Sequence, residues 1–154
     1  MEELISYLLQ FGQLNPQQIE LVKTKAEEKF LPKGESFSEA GKIAKQIAFV
    51  QEGVLMICYY NNKGEEIVHH FVDENHFTVD LDSFNHKIAS TVYIRAVTDC
   101  QLISFSYDSF KTLSETIIDW DKIIHKITVK TLLDKVNLAQ PKLGTDAKTR
   151  YWIS

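Results

Sequence analysis

The spacing of apolar residues changes twice along the chain, from helical to strand-like and back to helical. Leu4, Ile5, Leu8, Leu9 and Phe11 fall on one side of a helix over residues 2–11, with Gly12 where a C-terminal cap would sit. Asn15-Pro16 supplies the N-cap and first-turn pair of a second helix, in which Ile19, Leu21, Val22 and Ala26 recur at mixed three- and four-residue spacing. That pattern predicts a helix running to about Glu28. From Phe30 onward the texture is β-rich, with turns at Lys33-Gly34, Ala40-Gly41, Glu52-Gly53 and Lys63-Gly64. Ile47–Val50, Val54–Tyr60, Ile67–Val72, Thr91–Ala96 and Leu102–Phe105 are the strongest strands, because Val, Ile, Phe and Tyr suit a pleated, half-buried surface. Asn61-Asn62-Lys63-Gly64 reads as a hairpin loop, since Asn and Gly tolerate the positive φ of such turns. Short strands at this spacing predict a mainly β, α+β fold, a jelly-roll sandwich or barrel with the first helices packed outside.

After Tyr107 the period is helical again, and Asp119 to Ala139 contains no Gly or Pro. A helix of roughly 30 Å fits this stretch at the standard rise per residue. Trp120, Ile123, Ile124, Ile127, Val129, Leu132, Leu133 and Val136 give it an apolar surface too broad for one packing contact. One side is expected to cover the roll, and the rest to meet the same helix of a twofold mate. Trp120, Ile123, Ile124, Ile127, Leu132 and Val136 are the expected dimer interface, a short helix pair because Lys130 and Thr131 break the heptad. Pro141 ends this helix, and Thr145 or Asp146 is placed to cap another beginning at Ala147, which Ser154 interrupts before three turns. The chain thus divides into a helix-and-roll unit over 1–118, a dimerisation helix over 119–140 and the start of a further element over 141–154.

Composition adds constraints. The chain has 154 residues, 44% of them hydrophobic, which suits one domain with its own core. No apolar run nears the roughly 18 residues that cross a bilayer, and Met1-Glu2-Glu3 is acidic where a secretory signal is basic, so no membrane and a cytoplasmic location are expected. Cys58 and Cys100 lie far apart inside apolar stretches and form no CxxC pair, which predicts buried free thiols. Net charge is −4, but residues 1–120 carry ten Lys/Arg against eighteen Asp/Glu, while residues 121–154 carry seven against three. The chain thus turns basic towards its end, either as a solvated helix face or on approaching a polyanion.

Five segments occur in an order that resembles one family. They are Leu31-Pro32-Lys33-Gly34-Glu35, Ala48-Phe49-Val50-Gln51-Glu52-Gly53, Lys63-Gly64-Glu65-Glu66, Ile94-Arg95-Ala96-Val97-Thr98-Asp99-Cys100 and Ser106-Tyr107-Asp108-Ser109-Phe110, and Ala147-Lys148-Thr149-Arg150-Tyr151 follows them. Together they resemble the Crp/Fnr-type bacterial transcription regulators, whose sensor is a cyclic-nucleotide-binding β-roll followed by a dimerisation helix and a helix-turn-helix. The resemblance implies a homodimer, a small-molecule ligand in the roll, and DNA binding through a helix-turn-helix beyond Arg150 that this chain does not contain.

In that family a short cassette between two strands carries a Gly-Glu pair and a later Arg-Ser or Arg-Thr pair, which hold the ribose and cyclic phosphate. By resemblance the cassette is His76 to Thr91, with Val79-Asp80 at the first pair and Ser90-Thr91 at the second. The arginine is missing, which removes the bidentate, charge-assisted partner of a phosphate, a loss of about 1.5–3 kcal/mol or more. Val79 adds a side chain where glycine allows close approach, and Asp80 and Asp82 add negative charge. Lys87 is a nearby cation but lacks the planar fork of arginine. The expected pocket positions are therefore Val79, Asp80, Leu81, Ser90 and Thr91, for an uncharged or cationic ligand or for none.

His69, His70, His76 and Glu74 raise a cupin-like metal site as an alternative, but His69 and His70 are strand neighbours on opposite faces and the HxH arrangement is absent, so no metal and no cofactor are expected. Tyr59, Tyr60, Phe71, Phe77 and Phe84 read as core aromatics rather than a recognition box. No nucleophile elbow, Walker loop or readable Ser/His/Asp set is present, so the expectation is a non-enzymatic sensor, with a stand-alone interaction module as the other alternative.

Overall fold

The computed structural model describes residues 1–139. Two helices open the chain, α1 (Glu2–Leu9) and α2 (Pro16–Lys25). Asn15 caps α2 through a reciprocal box, its Oδ1 accepting from Gln18 N while Gln18 Oε1 accepts from Asn15 N. The predicted extension of α2 to Glu28 is not observed. Ala26 is extended and Glu27–Leu31 form β1, because pairing with a later strand outweighs local helix propensity.

Seven further strands follow: β2 (Ser36–Ser38), β3 (Gln46–Glu52), β4 (Leu55–Tyr60), β5 (Glu66–Val72), β6 (Phe77–Thr78), β7 (Tyr93–Ala96) and β8 (Cys100–Ser106). They form two antiparallel sheets, ordered β1-β8-β3-β6 and β2-β7-β4-β5, which face one another as a jelly roll without closing into a barrel. The β4–β5 hairpin turns where the Asn/Gly composition predicts, with Asn61 Oδ1 accepting from Lys63 N and Glu65 N. A short helix, α3 (Leu81–His86), lies between β6 and β7, and α4 (Tyr107–Thr116) and α5 (Trp120–Ala139) close the described chain.

Two cores share the first sheet as a wall. Ala48, Val50 and Leu102 point between the sheets towards Leu55, Val72, Ile94 and Ala96. Ile47, Phe49, Ile103 and Phe105 point the other way, onto a helical core with Leu4, Leu8, Leu113, Ile117 and Trp120. The alternation follows from the two-residue period of a strand buried on both faces.

The helical core also seats α5. Trp120 and Ile123 are fully buried, Ile127 nearly so, and Ile124 packs against them partly covered. At about 1.5–3 kcal/mol for each fully buried large apolar side chain, these residues fix the first half of α5 on their own subunit. Further along, Val129 and Leu133 are 39% and 56% exposed. Gly12 does not cap α1 in a left-handed conformation; a Cβ there would lie 2.6 Å from Ile123 Cγ1, so its smallness lets the α1–α2 link approach α5. No helix among the described residues is long and apolar enough to cross a membrane.

Candidate functional site

The site begins where β6 hands over to α3. Thr78 pairs with Ala48 and therefore faces between the sheets, while Val79 packs against the helical core. Asp80 N-caps α3, its Oδ1 accepting from Ser83 N at 3.3 Å. Its other oxygen, Oδ2, accepts from Ser90 Oγ at 2.7 Å. Ser90 is buried and also meets the backbone of Val92. Ser83 is fully buried, and its Oγ donates to Ile88 O at 2.6 Å while accepting from Ala44 N at 2.7 Å.

Backbone contacts reinforce these side chains. Gly41 N donates to Ser90 O and Ser90 N donates to Lys42 O, with a bridge between Ile43 and Ala89. The segment from Asp80 to Ser90 is thus a loop and helix whose two ends meet through one carboxylate. Chemically it offers hydrogen-bond acceptors and no guanidinium.

Of the sequence-predicted pocket positions, Asp80 and Ser90 are brought into direct contact. Val79 turns towards the helices and Thr91 is exposed, and the side chain of Leu81 lies outside what the structure describes. Lys87, the nearest candidate cation, ends α3 in a left-handed conformation and holds its Nζ 4.6 Å from the centre of the Tyr107 ring. Ser83, which the sequence reading did not single out, sits at the centre of the network; a serine in the first turn of so short a helix carries no pattern that betrays such a role.

Arg95, the guanidinium nearest the cassette in sequence, is committed elsewhere. On β7 its Nη1 donates to Glu66 Oε2 at 3.1 Å and to Tyr60 Oη at 3.3 Å, and the guanidinium lies 5.4 Å from the Tyr93 ring. The hydrogen bond with Tyr60 raises its pKa above the ordinary arginine value, burial opposing. Residues Arg95 and Tyr93 share a sheet face with Met56 and Cys58 through the β4–β7 register, the face opposite Leu55, Ile94 and Ala96.

The histidines considered for metal do not converge. His69 stacks on Tyr59 at 4.8 Å, and His76 Nδ1 lies 2.9 Å from Asp73 Oδ1. Glu74 Oε2 accepts from Gly53 N at 2.7 Å. Among the described residues, no three His, Cys, Asp or Glu side chains are grouped to hold a metal ion. Cys58 and Cys100 are buried free thiols, and burial pushes both pKa values up. On α5 the expected dimer residues divide: Trp120, Ile123 and Ile127 are taken up by their own core, so they are not free for a mate, and the side chains of Leu132 and Val136 lie outside the described residues. The segment 141–154, with its expected cap, lies outside them too.

Solved structures share this fold. The catabolite activator protein of Thermus thermophilus superposes with a TM-score of 0.69 at 15% identity over 83% of this chain and 59% of that one. The c-di-GMP-responsive global regulator CLP of Xanthomonas campestris gives 0.66 at 22% identity over 81% and 63%. The sensor domain of the transcriptional regulator DNR from Pseudomonas aeruginosa gives 0.68 at 17% identity over 88% and 90%. The chain thus spans about three fifths of the first two proteins and most of the isolated sensor domain. No curated protein sequence matches it. The family model for the cyclic nucleotide-binding domain matches residues 28–116, from β1 through α4. That match takes in more than half of the 154 residues, and the chain belongs to the cyclic nucleotide-binding domain family.

Proposed function

We propose that this chain is the sensor and dimerisation part of a Crp/Fnr-type transcription regulator, a non-enzymatic cytoplasmic module whose roll does not hold cyclic nucleotides tightly. The observation that carries the reading is the bond between Asp80 and Ser90. The position at which the family resemblance expects a phosphate-holding arginine is a buried serine already engaged by a carboxylate. With Arg95 bound to Glu66 and Lys87 over Tyr107, a cyclic phosphate entering this cassette meets an acceptor where it needs donors. The ligand chemistry compatible with Asp80 is neutral or cationic.

Signalling in this reading runs through α5. Its first turns lie in the core that backs the roll, while Val129 and Leu133 further along offer apolar surface to the same helix of a second copy. A change in the roll that reseats Trp120 and Ile123 shifts the helix pair, and with it any DNA-reading element that follows Arg150.

Calorimetric titration of residues 1–154 with cyclic AMP and cyclic GMP tests the ligand claim. The missing guanidinium weakens binding by about tenfold to a hundredfold or more, so no heat of binding is expected at micromolar nucleotide. Saturable binding with a Kd of about 1 µM or below overturns the reading.

A further inference from the structure

We propose that Asp80 and Ser90 form a clasp that closes the cassette without any ligand, so that the state of this pair, rather than occupancy of a pocket, sets how firmly α3 is held. The inference rests on the reading that no cyclic nucleotide occupies the cassette. Three features lead to it. The two oxygens of one carboxylate serve opposite ends of the segment, Oδ1 the start of α3 and Oδ2 the residue that leads into β7. Ser90 is 4% exposed, so water competes poorly for its hydroxyl, and a charge-assisted O–H···O bond of 2.7 Å is of the stronger kind. The helix between these ends is short: six residues are too few to persist alone, and besides the carboxylate it is held by Ser83 between Ala44 N and Ile88 O and by buried Phe84 against Tyr107 and Phe110.

A clasp of this kind differs from a plain helix cap. As a cap, Asp80 acts on the first turn of α3 and is indifferent to Ser90. As a clasp, the carboxylate and the hydroxyl depend on each other, because the charge-assisted bond from Ser90 Oγ to Asp80 Oδ2, at 2.7 Å, is shorter than the hydroxyl's other contact, with Val92 O at 3.1 Å.

Amide hydrogen exchange read by mass spectrometry on the full 154-residue chain separates the two. The proteins are wild type, Asp80→Asn, Ser90→Ala and the double variant, with amides of β3 and β8 in each protein as the internal reference for global stability. Asp80→Asn keeps an oxygen able to cap α3, so it weakens the clasp more than the cap. Residues 81–90 are expected to exchange about tenfold faster, relative to the reference, in either single variant, and no faster in the double variant than in the faster single one. Wild-type protection in Ser90→Ala, or accelerations that multiply in the double variant, overturns the clasp. Nucleotide titration of the wild type is a separate readout: tight binding removes the functional reading, whereas absent coupling without nucleotide binding removes the clasp alone.

Discussion

Gly53 joins the two sheets, and replacing it with alanine tests how closely they are tied. It follows β3 and precedes β4, with φ at +105°, and its N–H donates to Glu74 Oε2. A Cβ at this position would lie 2.6 Å from Asp99 O, 2.8 Å from Cys100 Sγ and 3.0 Å from Cys100 Cα. Two of these three atoms are backbone of β8 or its preceding turn, so rotation of a side chain cannot relieve the overlap. Left-handed backbone costs a residue with a Cβ about 1–2 kcal/mol. Overlap in a packed interior adds about 1–3 kcal/mol, so Gly53→Ala is expected to lose about 2–5 kcal/mol in total. Gly64, at φ +78° in the β4–β5 hairpin, is the control, because an added methyl there would have nothing within 4 Å. Gly64→Ala carries the backbone cost alone, about 1–2 kcal/mol. Urea titration followed by the fluorescence of buried Trp120 measures both variants, and an unchanged m-value shows that the two-state comparison holds. Equal losses at the two positions would refute the close approach of the β3–β4 turn to β8.

Three further outcomes follow from other parts of the molecule. Leu133→Asp, on the exposed side of α5, is expected to shift sedimentation from dimer towards monomer while changing subunit stability by no more than about 0.5 kcal/mol; a wild-type chain that sediments only as a monomer at high concentration removes the α5 pairing. Thr78 Oγ1 is buried with no hydrogen-bond partner among the described residues, so Thr78→Val is expected to stabilise the protein by about 1–2 kcal/mol in the same urea titration, and a loss of similar size would mean that the hydroxyl is bonded. Burial raises the pKa of Cys58 and Cys100, so in the folded protein they keep their protons to higher pH than in the unfolded chain. Their contribution to stability is complete below the ordinary thiol value of about 8.5 and is lost as pH rises above it. The urea midpoint should therefore fall across that range, and fall less in Cys100→Ala; a midpoint that rises with pH contradicts the assignment.

Periodicity made the main strands legible, because β3, β4, β5 and β8 draw on the β-branched and aromatic runs that the sequence displays. Elements with little apolar content were not legible. In β1, four of five residues are exposed and only Leu31 is buried, so nothing in Glu27–Leu31 announces a strand until β8 is there to pair with it. The helix α3 was hidden for a related reason: its six residues are held by Asp80, Ser83 and Ser90, and such side-chain bonds leave no period. Asp80 and Ser90 came from the family resemblance rather than from spacing, and their mutual contact came from neither. The breadth of the α5 stripe was readable, but how it divides was not, since Trp120, Ile123 and Ile127 are apolar in the same way as Val129 and Leu133 and only the packing of α1 and β8 separates the two groups.

The double-sided burial of β3 has a mechanical consequence. Val50 touches the interior of the roll, and Phe49, its chain neighbour, belongs to the cluster that contains Trp120. One peptide unit therefore separates whatever presses on the inside of the roll from the base of α5. A dense interior yields little, so a displacement on one side is passed on rather than absorbed. A bulkier residue at Ala48, which faces the roll, should alter the seating of α5 without touching any helix.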